Sequence, residues 1–332
     1  MAETQYWFSA AHEQFKPSEL LEQAIEAERA GFDAVACSDH FQPWWEPGES
    51  GMAWAWLGAA AQATQRVPVG TAVTAPVFRY HPALVAQTWA TLEEMFPGRT
   101  FLGIGSGESL NESPFGMDWP DPSVQVELME EALEIIGRLF DGDRLDTLGH
   151  FPMKQAYLHT NSGRRPPIYV SAFAEHAAQV AGRLGDGLWT LADPETVPEL
   201  VDTYKAACED AGREPGKVIL QGGFSWAEDD DDAFEGAKPF KATMPDEFYT
   251  DDWHDPGAMF EHADAKYSDD EFREQFIIGS DPEEHVERIR EIERLGADVV
   301  VLMNNSGAAP LEAVRVYGQR VLPALKGSRL SS

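Results

Sequence analysis

Apolar residues fall in short blocks along the whole chain. Between the blocks they recur every three or four positions, the spacing of one helix face. Read in order, the pattern predicts a strand over Gln5 to Ala10 and a loop through Ala11-His12-Glu13-Gln14-Phe15. A helix follows from Pro17 to Ala30, stopped by Gly31. A second strand, Ala34 to Cys37, comes directly after. Trp54 to Gln65 is a small-residue helix, Val67 to Thr74 a third strand, Pro82 to Phe96 a helix and Phe101 to Gly105 a fourth strand. Val124 to Phe140 repeats the amphipathic spacing through Val126, Met129, Leu133 and Ile136.

The second half continues the alternation after a long connection, 141–167. Strands are expected at Ile168 to Ser171, Leu188 to Leu191, Val218 to Ser225 and Asp298 to Met303. The helices between and after them are His176 to Leu184, Val197 to Ala211, Pro282 to Leu295 and Leu311 to Val321. Strands joined through helices by short loops pair in parallel. Eight of them match the count that closes a (β/α)8 TIM barrel, although a doubly wound sheet also accommodates eight. We expect one barrel domain over 1–332 with an acidic insertion at about 227–276. A connection that long inside a compact domain is functional or has structure of its own.

Composition changes the picture in one respect. A hydrophobic share of 43% is ordinary and supplies one large core, but 57 Asp and Glu against 25 Lys and Arg leave a net charge of −32. Polyanionic partners are disfavoured, so neither nucleic acid nor an anionic membrane surface is expected. Aromatic content and regular periodicity speak against disorder. An acid-coated surface poor in lysine fits a protein adapted to molar salt, where charges are screened over about 3 Å. Cys37 and Cys208, the two cysteines, indicate neither a disulfide framework nor a metal site. There is no leader-like N-terminus and no run of 18 apolar residues, so a cytoplasmic protein is expected.

Candidate chemistry gathers at strand ends, where barrel enzymes carry it. The second strand delivers Asp39, His40 and Trp44. The fourth runs into Gly103-Ile104-Gly105-Ser106-Gly107-Glu108. This is not a dinucleotide fingerprint, since its glycines alternate and no helix opens after them, and it is not a phosphate loop. Either the glycines relieve tight barrel packing or they let a flat ligand ring approach, with Glu108 as an acid facing His40 across the mouth. Ser171-Ala172-Phe173-Ala174 before a helix, with Thr190 one strand later, is a weaker candidate for an anion at a helix start. The remaining histidines are scattered without metal-ligand spacing, and no serine-hydrolase elbow is present.

Ser38-Asp39-His40-Phe41-Gln42-Pro43-Trp44 together with Gly103 to Glu112 resembles the F420-dependent glucose-6-phosphate dehydrogenases of the bacterial-luciferase-like superfamily. Ala11 to Phe15, Phe78-Arg79-Tyr80-His81-Pro82, Gly182 to Gly187 and Ser280-Asp281-Pro282 match in the same order. The resemblance implies a TIM barrel and coenzyme F420, a deazaflavin accepting hydride at C5. It implies that Asp39 contacts the cofactor, that His40 is the base for the substrate hydroxyl, that Trp44 lies beside the reacting centre and that Glu108 donates a proton to the ring. Glu13 and Asn111 match pocket positions. Ala72, Val73, Ala75, Gly107, Ser171 to Ala174 and Thr190 fall where the cofactor lies, with a cis peptide between Ala72 and Val73. It also implies a homodimer.

That chemistry is coherent. Hydride leaves a carbinol carbon as the oxygen loses its proton, a task an imidazole's ordinary pKa near 6.5 suits. Glu108 must be held protonated, which burial favours. Asp39 and His40 are consecutive in extended chain and should face opposite ways, so Asp39 is not expected to orient His40. One departure bears on the substrate. Thr190-Leu191-Ala192-Asp193-Pro194 stands where a phosphate-binding lysine is expected, and Glu274 replaces another. Arg273, Lys266 and Lys241 are the nearby cations left for a phosphate. The expectation is therefore an F420-dependent dehydrogenase of a different alcohol or sugar. The alternatives are an FMN-dependent monooxygenase of the same superfamily, a glucose-6-phosphate dehydrogenase proper, or a non-catalytic deazaflavin-binding protein.

Overall fold

The computed structural model describes residues 3–147 and 149–327; residues 1–2, 148 and 328–332 of the expected single domain lie outside it. The first strand, β1 (Gln5–Ala10), is followed by α1 (Pro17–Ala30), β2 (Ala34–Cys37), α2 (Ala53–Ala63), β3 (Val69–Thr71), α3 (Pro82–Met95) and β4 (Thr100–Ile104). A single turn, α4 (Ser109–Glu112), leads to α5 (Pro122–Phe140). The connection 141–167 holds an antiparallel hairpin, β5 (Leu145–Thr147) and β6 (Met153–Ala156). The alternation resumes with β7 (Ile168–Ser171), α6 (Glu175–Leu184), β8 (Gly187–Leu191), α7 (Val197–Asp210) and β9 (Lys217–Trp226).

The expected insertion follows as four short helices, α8 (Asp230–Ala237), α9 (Glu247–Thr250), α10 (Pro256–Lys266) and α11 (Asp269–Gln275). The chain ends with β10 (Ile277–Gly279), α12 (Pro282–Arg294), β11 (Val299–Asn304), α13 (Pro310–Val316) and α14 (Leu322–Gly327). Strands β1, β2, β3, β4, β7, β8, β9 and β11 pair in parallel, and β9 joins both β8 and β11, so the sheet closes. The barrel is borne out. Its extra strand β10 pairs with the end of β9 beyond the barrel wall, because β9 runs to Trp226.

The barrel floor is filled by Trp7, Phe101, Tyr169 and Trp189, whose ring centroids lie 4.8–6.3 Å apart. These four aromatics join the branched aliphatics usual in barrel layers, here Ile219, Val299 and Val301. A second, larger core lies between sheet and helices. Two boundaries differ by more than two residues from the sequence expectation. Strand β3 stops at Thr71, ahead of a cis peptide at Ala72–Val73, which falls where the resemblance put it. The closing helix carries a π turn at Tyr317–Val321 between α13 and α14; here a Cβ on Gly318 would come within 2.7 Å of Ala30, so glycine permits the contact with α1.

The acidic insertion folds through its acids. Asp229, Asp255 and Ser268 accept backbone N–H bonds at the starts of α8, α10 and α11, and further acids in the first turns of α8 and α11 suit the helix dipoles. Lys241, 2% exposed, places its ammonium 2.8 Å from Asp264 of α10 and 2.9 Å from Asp269 of α11. One buried cation thus ties the module together.

Candidate active site

Four strand-end segments meet at the C-terminal mouth. The loop after β1 brings Glu13, the loop after β2 brings Asp39 and His40, the β3 loop supplies Thr74 to Tyr80, and β4 leads to Glu108 and α4. His40 Nε2 lies 3.3 Å from Glu13 and 3.7 Å from Glu108. Glu13 is 2% exposed and accepts a 2.6 Å bond from the Ser38 hydroxyl. Asn111 joins the two strand ends. Its Oδ1 accepts from the Phe41 N–H at 2.7 Å, which fixes the amide's orientation, and its Nδ2 reaches His40 Nδ1 at 3.2 Å and Glu108 at 3.1 Å. Nδ1 of His40 is therefore an acceptor, and the neutral ring carries its hydrogen on Nε2, toward Glu13 and Glu108.

Burial is the largest influence on Glu108 and raises its carboxyl above the ordinary range. Glu13 adds to the rise, while His40, Arg79 and Asn111 oppose it. A rise in this direction favours the protonated form, the one that can donate. Asp39 turns away from His40, as alternation along a strand requires. Its carboxylate accepts from Thr74 at 2.6 Å and Tyr80 at 3.2 Å and lies 3.5 Å from the Arg79 guanidinium.

The mouth wall is aromatic. His40 and Trp44 rings lie 5.5 Å apart, Trp44 and Tyr249 5.5 Å, and Tyr249 and Phe173 5.6 Å. Tyr249 comes from α9, and the insertion is pinned to the site by Ser109, whose hydroxyl donates to Trp253 O (2.7 Å) and accepts from Trp253 N (2.8 Å). Phe173 belongs to the loop after β7, so the structure links that candidate to the cluster. Ser171, Ala172 and Thr190 sit at the ends of β7 and β8, one and two strands on from β4. Ala174 starts α6, whose first N–H groups have no side-chain cap.

The alternating glycines resolve toward packing. A Cβ on Gly103 would meet Thr71 O at 2.1 Å, and one on Gly105 would meet Val73 at 2.7 Å. Val73 packs onto the interior aromatic cluster beside Ala72, and Ala75 is buried. Gly107, at φ +91°, turns the chain into Glu108. Above Trp7, on the same face of β1, the buried Ser9 hydroxyl has no partner among the described residues, which leaves a polar atom for a ligand.

Sequence reasoning missed Tyr249, Glu112 and the part played by Arg79. Tyr249 lies in a segment whose acidity masks any pattern. Arg79 stands inside a matched motif but carries no spacing signal of its own. The cations considered for a phosphate are committed elsewhere: Lys241 as above, Lys266 at 2.8 Å from both Glu247 oxygens, and Arg273 stacked 3.8 Å over Phe234.

The luciferase-like monooxygenase family matches residues 3–299. F420-dependent glucose-6-phosphate dehydrogenases of Microbacterium testaceum and Nakamurella multipartita are 36% and 34% identical, over 97% of this chain and 97% and 96% of theirs. A solved F420-dependent secondary alcohol dehydrogenase, in complex with an F420-acetone adduct, superposes with a TM-score of 0.93 at 32% identity, covering 98% of this chain and 99% of that one. A coenzyme F420-dependent tetrahydromethanopterin reductase from Methanopyrus kandleri, at 21% identity and a TM-score of 0.80, shares the fold. With identity of this level running the length of the barrel, the chain belongs to the luciferase-like monooxygenase family and, within it, to the F420-dependent glucose-6-phosphate dehydrogenase-like group.

Proposed function

We propose that this protein is an F420-dependent dehydrogenase of a neutral, unphosphorylated alcohol. It is an oxidoreductase acting on CH–OH groups, in keeping with its relatives. The observation that carries the substrate class is the engagement of Lys241, Lys266 and Arg273 with partners of their own, beside a mouth walled by Trp44, Tyr249 and Phe173. A phosphate dianion needs cationic donors, and an uncharged alcohol does not.

The donor set suits the deazaflavin: the Glu108 carboxyl with its raised pKa, the amide of Asn111, the Ser9 hydroxyl, unpartnered among the described residues, and the uncapped start of α6 after Ala174. Ala72, Val73, Ala75 and Gly107 would line the ring's side of the mouth, and Asp39, Ser171, Ala172, Phe173 and Thr190 would complete the binding wall. When bound, coenzyme F420 supplies the hydride acceptor. His40 takes the hydroxyl proton at Nε2, in the tautomer that carries its hydrogen on Nδ1. Asn111 holds the other tautomer, so this step requires that its amide leave Nδ1. Glu13 stabilises the imidazolium that forms, and Glu108 delivers the balancing proton.

The deciding experiment titrates the purified protein in molar salt with F420 and separately with FMN, then follows deazaflavin reduction with a panel of secondary alcohols, sugars and glucose 6-phosphate. Tight F420 binding and turnover of neutral alcohols are expected. Turnover of glucose 6-phosphate well above the alcohols would overturn the substrate class, and binding of FMN alone would overturn the dehydrogenase reading.

A further inference from the structure

The mouth gathers a surplus of carboxyls around one guanidinium. Glu13, Asp39, Glu108 and Glu112 come from three different strand ends, and Arg79, on the β3–α3 loop, is the arginine among them. Its side chain is 6% exposed, and those of Asp39 and Glu112 are 1% and 0%. The guanidinium donates at 2.9 Å to the Asp39 carbonyl oxygen, the atom just before His40, and lies 3.5 Å from the Asp39 carboxylate. It also lies 3.5 Å from Glu112, whose other oxygen accepts the Arg79 backbone N–H at 2.7 Å. Glu112 is one turn beyond Glu108 on α4 and follows Asn111 directly. Arg79 therefore grips the segment that ends in His40 on one side and the turn that carries Glu108 on the other. Tyr80, which donates to Asp39, lies under the guanidinium at 4.5 Å and is itself stacked on Trp54.

We propose that Arg79 is a positioning residue of the active site: it clasps the His40 and Glu108 segments together and sets how many protons the carboxyl cluster holds. This rests on the roles given to His40 and Glu108 above. The clasp follows from geometry: one guanidinium nitrogen donates to the Asp39 carbonyl while Nε faces Glu112 at 3.5 Å as an ion pair, two directions that a single ammonium cannot serve together. The proton count follows from charge. Burial raises Glu112 to about 7 and lifts Glu108 as well, and Arg79 is a force holding both down. Of the other titratable groups, Glu13 from the β1 loop, His40 from the β2 loop, Glu112 on its own turn and Tyr249 from the insertion act on or with Glu108, while Asp39 acts on Glu112 and His12 and Tyr80 face Asp39. Arg79 is the permanent cation in that set.

The test follows the carboxyl carbons of Glu108 and Glu112 by carbon-13 NMR against pH in ligand-free, glutamate-labelled protein, assigned with Glu108→Gln and Glu112→Gln. Arg79→Met should raise both midpoints by about half a unit or more. Arg79→Lys should leave the midpoints near wild type yet lower kcat by about tenfold or more, because the charge stays and the clasp goes. If Arg79→Met fails to fold, Arg79→Gln, which keeps polar donors and removes the charge, supplies the same reading. Unmoved midpoints in Arg79→Met, or in Arg79→Gln where that variant decides, overturn the electrostatic half. Wild-type kcat in Arg79→Lys overturns the clasp. The titration needs neither cofactor nor substrate, so a wild type that turned over no alcohol would sink the dehydrogenase reading while the midpoints still decided Arg79.

Discussion

Asn111 and His40 are joined amide to imidazole: Nδ2 of Asn111 donates to Nδ1 of His40 at 3.2 Å, while Oδ1 of the same amide is held by the Phe41 N–H. One side chain thereby chooses the histidine's tautomer and ties it to Glu108. The resting state is consequently not the basic one. Long-range nitrogen-15 correlation of the histidine rings should show His40 with its hydrogen on Nε2, and Asn111→Ala should release that preference. An Nδ1–H ring in the ligand-free wild type would refute the assignment.

Removal of the groups that move protons should cost rate more than affinity. His40→Ala and Glu108→Gln are expected to lower kcat by about 10²–10⁴-fold, with F420 affinity close to wild type in His40→Ala. In wild type, kcat should fall as pH rises through the elevated pKa of Glu108, since the donor is then lost. Retention of that alkaline limb in Glu108→Gln would assign it to another group.

Two buried groups far apart oppose one another in the pH dependence of stability. His285, hydrogen-bonded to Tyr317 and the Gly279 carbonyl, is pushed by burial from 6.5 down to about 4. The unfolded chain then binds the extra proton, so this group makes stability fall as pH drops from 6.5 toward 4. Glu112 is pushed from 4.5 up to about 7, the folded state binds the extra proton, and stability falls as pH rises across that window. Relative to wild type, the slope between pH 4.5 and 6.5 should become more positive in Glu112→Gln and more negative in His285→Gln, each by about 1.4 kcal/mol per pH unit. Denaturant melts across that range decide it; parallel curves would dismiss both shifts.

A net charge of −32 should make the fold depend on salt. Raising KCl from 0.1 to 1 M shortens the screening length from about 10 Å to about 3 Å and relieves self-repulsion. The melting temperature should climb across that interval, and a flat or falling curve would argue against an acid surface tuned to molar salt.

The periodicity made the barrel legible because each parallel strand, buried on both faces, reads as an apolar block followed by a helical stripe. It drew attention to His40 and Glu108 because strand ends are where a barrel carries its chemistry, whereas Glu13 entered through the family resemblance alone. The glycines of β4 were ambiguous by nature. Whether Gly105 makes room for a ligand or for Val73 depends on a neighbouring strand that sequence spacing does not place. Tyr249 was hidden for a related reason: it reaches Trp44 from over 200 positions away, through helices stabilised by caps and first-turn acids, with little periodic apolar face. Arg79 and Glu112 were invisible because buried polar networks obey no period.

Lys241 welds the insertion into a unit of its own, and that unit supplies Tyr249 to a mouth whose proton-handling groups all belong to the barrel. On the proposed dehydrogenase reading, the appended helices share the shaping of the mouth with Trp44 and Phe173 of the barrel. Changes in those helices would then reshape one wall while leaving His40, Glu13 and Glu108 where they are.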